Sequence, residues 1–346
     1  MLKDNYTDWY SNEKYQQALT DDPVKSLGHD NAPQTVCEIT HVLNDRRQNW
    51  QLSRAAKEQK KEKTGVQGTR SRFINQIINK IFQMGIRIAK FLGVHRYLVN
   101  HTKKLVLSNF EFEFSNLPNA FDGYRILHIS DPHFDSLPNL EDEILRALGK
   151  ENCDLVVITG DFTDEFNAPW KHFLDPMRRL IKNIGAPDGF VAVLGNHDSW
   201  RIVEPLESLG VHMLINENLK IEKNGKIIGL TGIDDPSSYF SKTAEQFLSD
   251  VPEQFNIALV HSAELADVAA NSGHSLYLAG HSHGGQICLP GGRAIMTGMQ
   301  CHRELSKGEW QKHSMQGYTN CGAGVSGMPY RLFSKGEIAL ITLRCK

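Results

Sequence analysis

Aspartate, histidine and asparagine recur in five short strings of this chain: Asp131-Pro132-His133, Gly160-Asp161-Phe162-Thr163-Asp164, Gly195-Asn196-His197-Asp198, Val260-His261-Ser262 and Gly280-His281-Ser282-His283-Gly284-Gly285. Mixed carboxylate, amide and imidazole donors suit Mn, Fe or Zn better than Ca, which prefers an all-oxygen shell. Two such dications, about 3.5–4 Å apart, clamp a phosphoryl group and activate a bridging water. A carboxylate has to bridge ions that close, and Asp161 is the natural choice, the middle acid in chain order and preceded by a glycine that admits close backbone approach. Hydroxide attack in line on phosphorus then leaves an oxygen in need of a proton. His197 is the candidate donor, since imidazole titrates near neutrality, with Asp164 or Asp198 to orient its ring.

Taken singly, Asp-x-His and Gly-Asn-His-Asp read as ordinary turns and His261 as a hydrogen-bonded strand-end histidine, and only Gly-His-Ser-His-Gly-Gly is moderately specific. Their weight comes from occurring together, each at or just after the end of an apolar run. Arg125 to Ile129, Leu155 to Thr159, Phe190 to Leu194, Ile257 to Val260 and Leu276 to Ala279 read as strands buried on both faces. Ile227 to Leu230 and Ile338 to Leu343 add two more. Between them, Leu140, Ile144, Leu145 and Leu148, then Phe173, Met177, Leu180, Ile181 and Ile184, recur at helical spacing. Strands alternating with helices predict a layered α/β domain, whose strand ends gather polar groups into one crevice.

The five strings resemble the signature of the calcineurin-like metallophosphoesterases (D-x-H, G-D-x-x-D, G-N-H-D, a lone strand-end histidine, G-H-x-H), over roughly residues 105–346. The resemblance implies a four-layer α/β/β/α sandwich of two mixed sheets. It implies one metal held by Asp131, His133, Asp161 and His283 and a second by Asp161, Asn196, His261 and His281, with His197 as the acid and Asp164 as its partner. Gly284-Gly285-Gln286-Ile287 and Gly322-Ala323-Gly324-Val325-Ser326-Gly327-Met328-Pro329-Tyr330-Arg331 are similar to a bacterial branch of general phosphodiesterases and UDP-2,3-diacylglucosamine pyrophosphatases of lipid A synthesis. That likeness makes hydrolysis of UDP-2,3-diacylglucosamine to UMP and lipid X the leading expectation. A phosphodiesterase or phosphatase acting on soluble nucleotides or phosphoproteins is the alternative, and a non-catalytic protein-binding scaffold a remote one.

Other chemistries fit poorly. A serine hydrolase built on Ser262 leaves the surplus of Asp and His unexplained. The chain has no G-x-x-x-x-G-K-[ST] phosphate loop. A net charge of −2 gives no general pull toward nucleic acid. Six scattered cysteines suggest free thiols in a reducing compartment. With no signal peptide legible at Met1 and no apolar run near the ~20 residues of a membrane span, the expectation is a cytoplasmic protein, peripheral on the inner face of the membrane.

The first 104 residues differ in kind. Residues 1–62 are polar, with aromatics only at Tyr6, Trp9, Tyr10, Tyr15 and Trp50, and read as a partly disordered extension; Ala55 to Lys63 reads as a solvated helix or linker. Residues 63–104 contain no acid and nine basic residues, while Ile74, Ile77, Ile78, Ile81, Met84, Ile88, Leu92 and Leu98 recur at helical spacing. Such a basic amphipathic helix suits an anionic membrane surface, at about 1 kcal/mol per basic residue, or packing on the domain with its basic face in water. A phosphorylated or nucleotide-linked lipid substrate would give membrane docking a purpose. Pro236 to Pro252, with Tyr239, Phe240 and Phe247, is a candidate wall for its acyl chains.

Overall fold

A computed structural model describes residues 34–64 and 72–346. Tyr6, Trp9, Tyr10, Tyr15 and the segment 65–71 lie outside the described residues, as does most of the extension expected over 1–62. The chain divides into two units, Met1–Asn49 and Trp50–Lys346. Helix α1 (Gln34–Thr64) starts in the first and runs into the second. The second unit holds every candidate site residue.

Two six-stranded sheets form its centre. Strands β1 (Val106–Phe114), β2 (Arg125–Ile129), β3 (Leu155–Ile158), β4 (Phe190–Ala192), β5 (Val211–Met213) and β12 (Glu337–Cys345) make one, in the order β1-β12-β2-β3-β4-β5. Strands β6 (Glu217–Lys223), β7 (Lys226–Gly232), β8 (Asn256–Leu259), β9 (Leu276–Ala279), β10 (Gly308–Lys312) and β11 (Met315–Thr319) make the other, in the order β10-β11-β9-β8-β7-β6. Both are mixed. β2 through β5 are parallel, as are β7, β8, β9 and β11, whereas β12 runs antiparallel to β2.

Side-chain alternation explains how the sheets stack. In β2, Ile126 faces the other sheet, while Leu127 and Ile129 face helices. Ile126, Leu155, Val157 and Val191 meet Leu230, Ile257, Leu259 and Leu278 in the interior between the sheets. The outer face of the first sheet is covered by α4 (Leu140–Leu148), α5 (Lys171–Asn183) and α6 (Val203–Ser208), through Ile144, Phe173, Met177 and Leu206. The outer face of the second lies under α8 (Lys242–Ser249) and α9 (Ala266–Ser272), through Ala244, Leu248, Ala266 and Ala269. The small side chains let α9 approach closely. The result is the four-layer α/β/β/α sandwich, and every apolar run expected to be a strand lies in one of its two sheets.

The segment before β1 is helical. α2 (Arg72–Phe91) sets Phe82 and Gly85 against Gly327 and Met328 and buries Ala89. α3 (His95–Thr102) is tied down by His95 Nδ1 to the Tyr330 hydroxyl (2.5 Å) and by the Arg331 N–H donating to Thr102 Oγ1 (2.9 Å). The opposite side of α2 is bare: Ile77, Ile81, Met84, Ile88 and Phe91 are 42–90 % exposed. Helix α2 therefore packs by one edge and presents an apolar stripe beside Lys80, Arg87 and Lys90. No helix among the described residues is long and apolar enough to cross a membrane.

The C-terminal part of α1 departs from the expectation of a solvated Ala55–Lys63. Arg54 is 1 % and Glu58 4 % exposed, one helical turn apart on a face turned into the protein. A charge run reads as solvated only when no buried partner awaits it, and here Asp234 does.

Candidate active site

Loops leaving the C-terminal ends of five parallel strands converge at one edge of the sandwich. β2 delivers Asp131 and His133, β3 delivers Asp161 and Asp164, β4 delivers Asn196 and His197, β8 delivers His261, and β9 delivers His281 and His283. All nine residues chosen from the sequence meet there. Asp131, His133, His261, Asp161, His283 and Asn196 are buried.

The donor atoms form two groups sharing one carboxylate. In the first, His133 Nε2 lies 3.2 Å from His283 Nε2, and His283 Nε2 lies 3.6 Å from Asp131 Oδ1. In the second, His261 Nε2 lies 3.0 Å from Asn196 Oδ1 and 3.2 Å from His281 Nδ1, which is 2.7 Å from the same Asn196 oxygen. Asp161 Oδ2 stands between them, 3.6 Å from His133 Nε2 and 3.3 Å from His261 Nε2. Asp131, His133 and His283, and again Asp131, Asp161 and His261, bring donor atoms within 4.8 Å of one another.

These contacts are not ordinary hydrogen bonds. His261 Nδ1 faces the Thr159 carbonyl oxygen at 2.7 Å, which places the ring N–H there. Its Nε2 lone pair then points at an amide oxygen, a carboxylate oxygen and a second imidazole nitrogen. Lone pairs converging in a buried space repel unless a cation sits among them. Donor separations near 3 Å are the edge lengths expected around an ion with metal–nitrogen and metal–oxygen distances of about 2.0–2.2 Å. In the absence of a metal ion the same negative charge draws a proton to that place. Burial pushes the His261 pKa down, but Asp161 outweighs it and holds the ring well above its ordinary value. Burial likewise raises the Asp161 pKa, and His261, His197 and His133 together drive it well below the carboxylate range. The donor set fits a pair of divalent metals sharing Asp161.

The backbone gives way to achieve this. Five of the seven proposed ligands adopt left-handed backbone: Asp131 (φ 48°), His133 (39°), Asp161 (57°), His281 (69°) and His283 (51°). Each costs on the order of 1 kcal/mol and persists only where its surroundings fix it. Gly195 shows how tightly they do, because a Cβ there would stand 2.1 Å from Asp161 Oδ1. Asp198 holds the same junction. Its carboxylate accepts the N–H groups of Asp161 (2.7 Å), Phe162 (2.8 Å) and Gly195 (2.8 Å), so it braces two loops and does not orient His197. Burial and the neighbouring Asp161 push its pKa up to about 6.

His197 is held by Asp164, through the main chain. Nδ1 donates to the Asp164 carbonyl oxygen at 2.8 Å, while the Asp164 carboxylate lies 3.6 Å away. The His197 N–H donates to Asp161 Oδ1 (2.8 Å), which fixes the residue beside the shared carboxylate and leaves Nε2 as the outward nitrogen. Asp164 is held in turn by the Ser326 hydroxyl (2.7 Å) and the Gly327 N–H (3.1 Å). The C-terminal signature is thus a brace. Gln286 Nε2 donates to the Met328 carbonyl (2.8 Å), and the buried Arg331 guanidinium donates to the carbonyls of the candidate ligand His283 (2.9 Å) and of Gly324 (2.8 Å). Ser282 lies in a G-x-S-x-G spacing, yet its hydroxyl donates to the Ser306 carbonyl and is buried, so it is no free nucleophile. His302 faces Asp267 (3.1 Å) and Glu304 (3.4 Å).

Four residues of α1 complete the site, and sequence reading missed their role. Arg54 Nη2 donates to the carbonyls of Gly195 (2.8 Å) and Asp198 (2.7 Å), and its Nη1 pairs with Asp234. Trp50 Nε1 donates to the other oxygen of Asp234 (2.8 Å). Glu58 accepts the Ser199 hydroxyl (3.0 Å) and the Trp200 N–H (2.8 Å). Lys61 Nζ donates to the Asn196 carbonyl (2.6 Å). One helix face therefore clamps residues 195–200, which carry both a proposed ligand and the proposed acid. The signal was present as Arg54, Glu58 and Lys61 at i, i+4, i+7, and as Asp234-Asp235 two residues beyond β7. Tyr239, expected to line an acyl groove, is buried and stacks on Arg54 at 3.6 Å. Phe240 is exposed.

Comparison with known proteins agrees with this geometry. The family model described as calcineurin-like phosphoesterase matches residues 124–285. The metallophosphoesterase YkuE of Bacillus subtilis is 29 % identical over 261 residues, covering 73 % of this chain and 89 % of that protein. A metallophosphoesterase of Campylobacter jejuni is 26 % identical over 296 residues, covering 81 % and 74 %. A transmembrane protein with metallophosphoesterase domain from Danio rerio is 27 % identical over 267 residues, covering 71 % and 59 %. Among solved structures, a Staphylococcus aureus protein described as a 5'-nucleotidase gives a TM-score of 0.37 at 10 % identity, covering 59 % of this chain; the chain spans about half of that structure's length. The family match over residues 124–285 and the names of these relatives point to a metal-dependent phosphoesterase hydrolase.

Proposed function

We propose that the chain hydrolyses phosphoester or pyrophosphate bonds of a phosphorylated or nucleotide-linked lipid at a membrane surface. Asp131, His133, Asp161 and His283 hold one metal and Asp161, Asn196, His261 and His281 the other, with manganese favoured by the mixed oxygen and nitrogen donors. The bound pair supplies Lewis acidity and an acidified water at neutral pH. The chain's own residues do the rest. Asp161 fixes the spacing of the two groups and holds the His197 main chain. His197, its Nδ1–H engaged by the Asp164 carbonyl, presents Nε2 to the leaving oxygen and donates a proton there. The filled ligand positions and convergent lone pairs argue against a non-catalytic scaffold.

The observation that carries the lipid reading is the bare apolar stripe of α2, Ile77, Ile81, Met84, Ile88 and Phe91, flanked by lysine and arginine and docked beside the Ser326–Met328 brace of the site. A solvated helix does not keep such a stripe without something to cover it, and the Danio rerio relative bears a membrane name. UDP-2,3-diacylglucosamine is the specific substrate we put forward. The test is an assay of manganese-loaded protein on UDP-2,3-diacylglucosamine and bis-p-nitrophenyl phosphate in parallel. Release of UMP outpacing diester cleavage supports the lipid reading. Diester cleavage alone discards the lipid and favours a general phosphodiesterase. Activity surviving exhaustive chelation overturns the metal assignment.

A further inference from the structure

We propose that Lys61, carried into the site by α1, binds the non-bridging oxygens of the substrate's phosphoryl group. The proposal rests on the metallophosphoesterase reading of the site and assigns the anion-recognition element within it.

Lys61 is set apart from Lys57, which also meets only carbonyls, by its contact with the main chain of the proposed ligand Asn196. Arg54, two turns earlier on the same face, is matched by Asp234 and Glu58. Lys61 has no carboxylate ion-pair partner among the described residues, and its one hydrogen bond goes to the neutral Asn196 carbonyl at 2.6 Å. An ammonium has three N–H groups, so two are left for a ligand. Its surroundings withhold water. The ammonium lies 6.0 Å from the Phe166 ring and 5.4 Å from the Tyr239 ring; burial lowers its pKa, against the opposing pull of Asp161, the proposed bridging carboxylate. Lys61 reaches the main chain of Asn196, whose side-chain oxygen belongs to the second donor group, so an anion held by that group would have an ammonium within reach. Lysine serves such sites as a point charge with rotatable donors. The helix cannot drift from this position, since Arg54 and Glu58 are fully engaged with residues 195–200.

The experiment uses the full manganese-loaded chain and two variants, Lys61→Ala and Lys61→Arg, with inorganic phosphate as the binding probe. Titration calorimetry reads the phosphate Kd, steady-state kinetics read KM and kcat on a phosphomonoester and a phosphodiester, and elemental analysis reads metal content. The expected result is a phosphate Kd and a monoester KM raised about tenfold or more in Lys61→Ala, with a smaller change for the singly charged diester. Metal content stays at the unaltered level, and Lys61→Arg recovers most of the loss. Lys57→Ala serves as control: Lys57 sits on the same helix and donates to the Tyr239 and Phe240 carbonyls, so its removal perturbs α1 without moving phosphate affinity. Unchanged phosphate affinity in Lys61→Ala overturns the proposal, as does an equal loss in Lys57→Ala, which would mark a general loosening of the helix. An unaltered chain that hydrolyses neither ester nor UDP-2,3-diacylglucosamine overturns the functional reading itself, a result separate from either of these.

Discussion

The shared carboxylate decides what each side chain in the site can do. Asp161 Oδ2 faces both histidine groups and Asp161 Oδ1 receives the His197 N–H. Asp161→Asn keeps the shape and removes the charge that lets two dications coexist. Hydrolysis should fall by at least about 10³-fold with loss of one or both metals, a scale set by the charge stabilisation that metals provide; full activity with two metals bound would refute the bridging role. The His197 ring lies within 4.8 Å of His133 and Asp164 donor atoms but its only hydrogen bond to a proposed ligand is the main-chain N–H to Asp161 Oδ1, which alanine keeps, so His197→Ala should retain both metals. It should lose roughly 10²–10³-fold in rate, the range of general acid catalysis, and most with leaving groups of high pKa. Metal loss in this variant, measured by elemental analysis, would make His197 a ligand. Asp164 acts on it by a carbonyl as well as a charge, a role that no reading of side-chain types reveals. Sequence left Asp164 or Asp198 to orient the ring, with Asp164 favoured, and the three backbone partners of Asp198 show it as a brace.

Legibility of the elements tracks how local their causes are. β2, β3, β4, β8 and β9 announce themselves as short Val/Ile/Leu runs because both of their faces are buried, and each ends where a polar string begins. β10 and β6 alternate buried or half-buried with exposed positions and contain Glu, Gln and Lys, so nothing in their composition separates them from loops. The split of the strands into two sheets depends on pairing between distant segments, such as β12 with β2, and no local pattern encodes it. The end of α1 is the sharpest case. Its charged face looks solvated until Asp234 and the 195–200 carbonyls are brought to it from more than 130 residues away. Arg54→Met tests that assignment. It leaves Asp234 buried without its cation, a loss of about 3–5 kcal/mol for breaking a buried pair, read by urea unfolding. It also frees the Gly195 and Asp198 carbonyls, so kcat should drop with it. Unchanged stability would return α1 to the status of a solvated linker.

At the scale of the whole molecule, the catalytic unit places its phosphoesterase centre and its bare apolar stripe on neighbouring parts of the surface, linked by the segment 322–331. Ile81→Asp with Met84→Asp puts two charges on that stripe. Binding to vesicles containing anionic phospholipid should weaken by at least about tenfold in co-sedimentation, since each buried apolar side chain contributes about 1.5–3 kcal/mol. Hydrolysis of a soluble diester should be unaltered. Equal vesicle binding by the double variant would remove the membrane from the account.

The position of β12 has a temporal consequence. It lies between β1 and β2, the first two strands of its sheet, although it follows every other strand in the chain. During synthesis β1 and β2 emerge early with a gap where their common neighbour belongs, and each exposes an unpaired edge. The Arg331 cage behind His283 also arrives late, only residues before β12 itself. The growing chain therefore carries every candidate ligand string before β12 can close the sheet behind them, and edge-to-edge association is the expected hazard of that interval. Insertion of β12 closes the first sheet directly after the segment that supports His283, so assembly of the site is expected to wait on the last strand more than on any single loop.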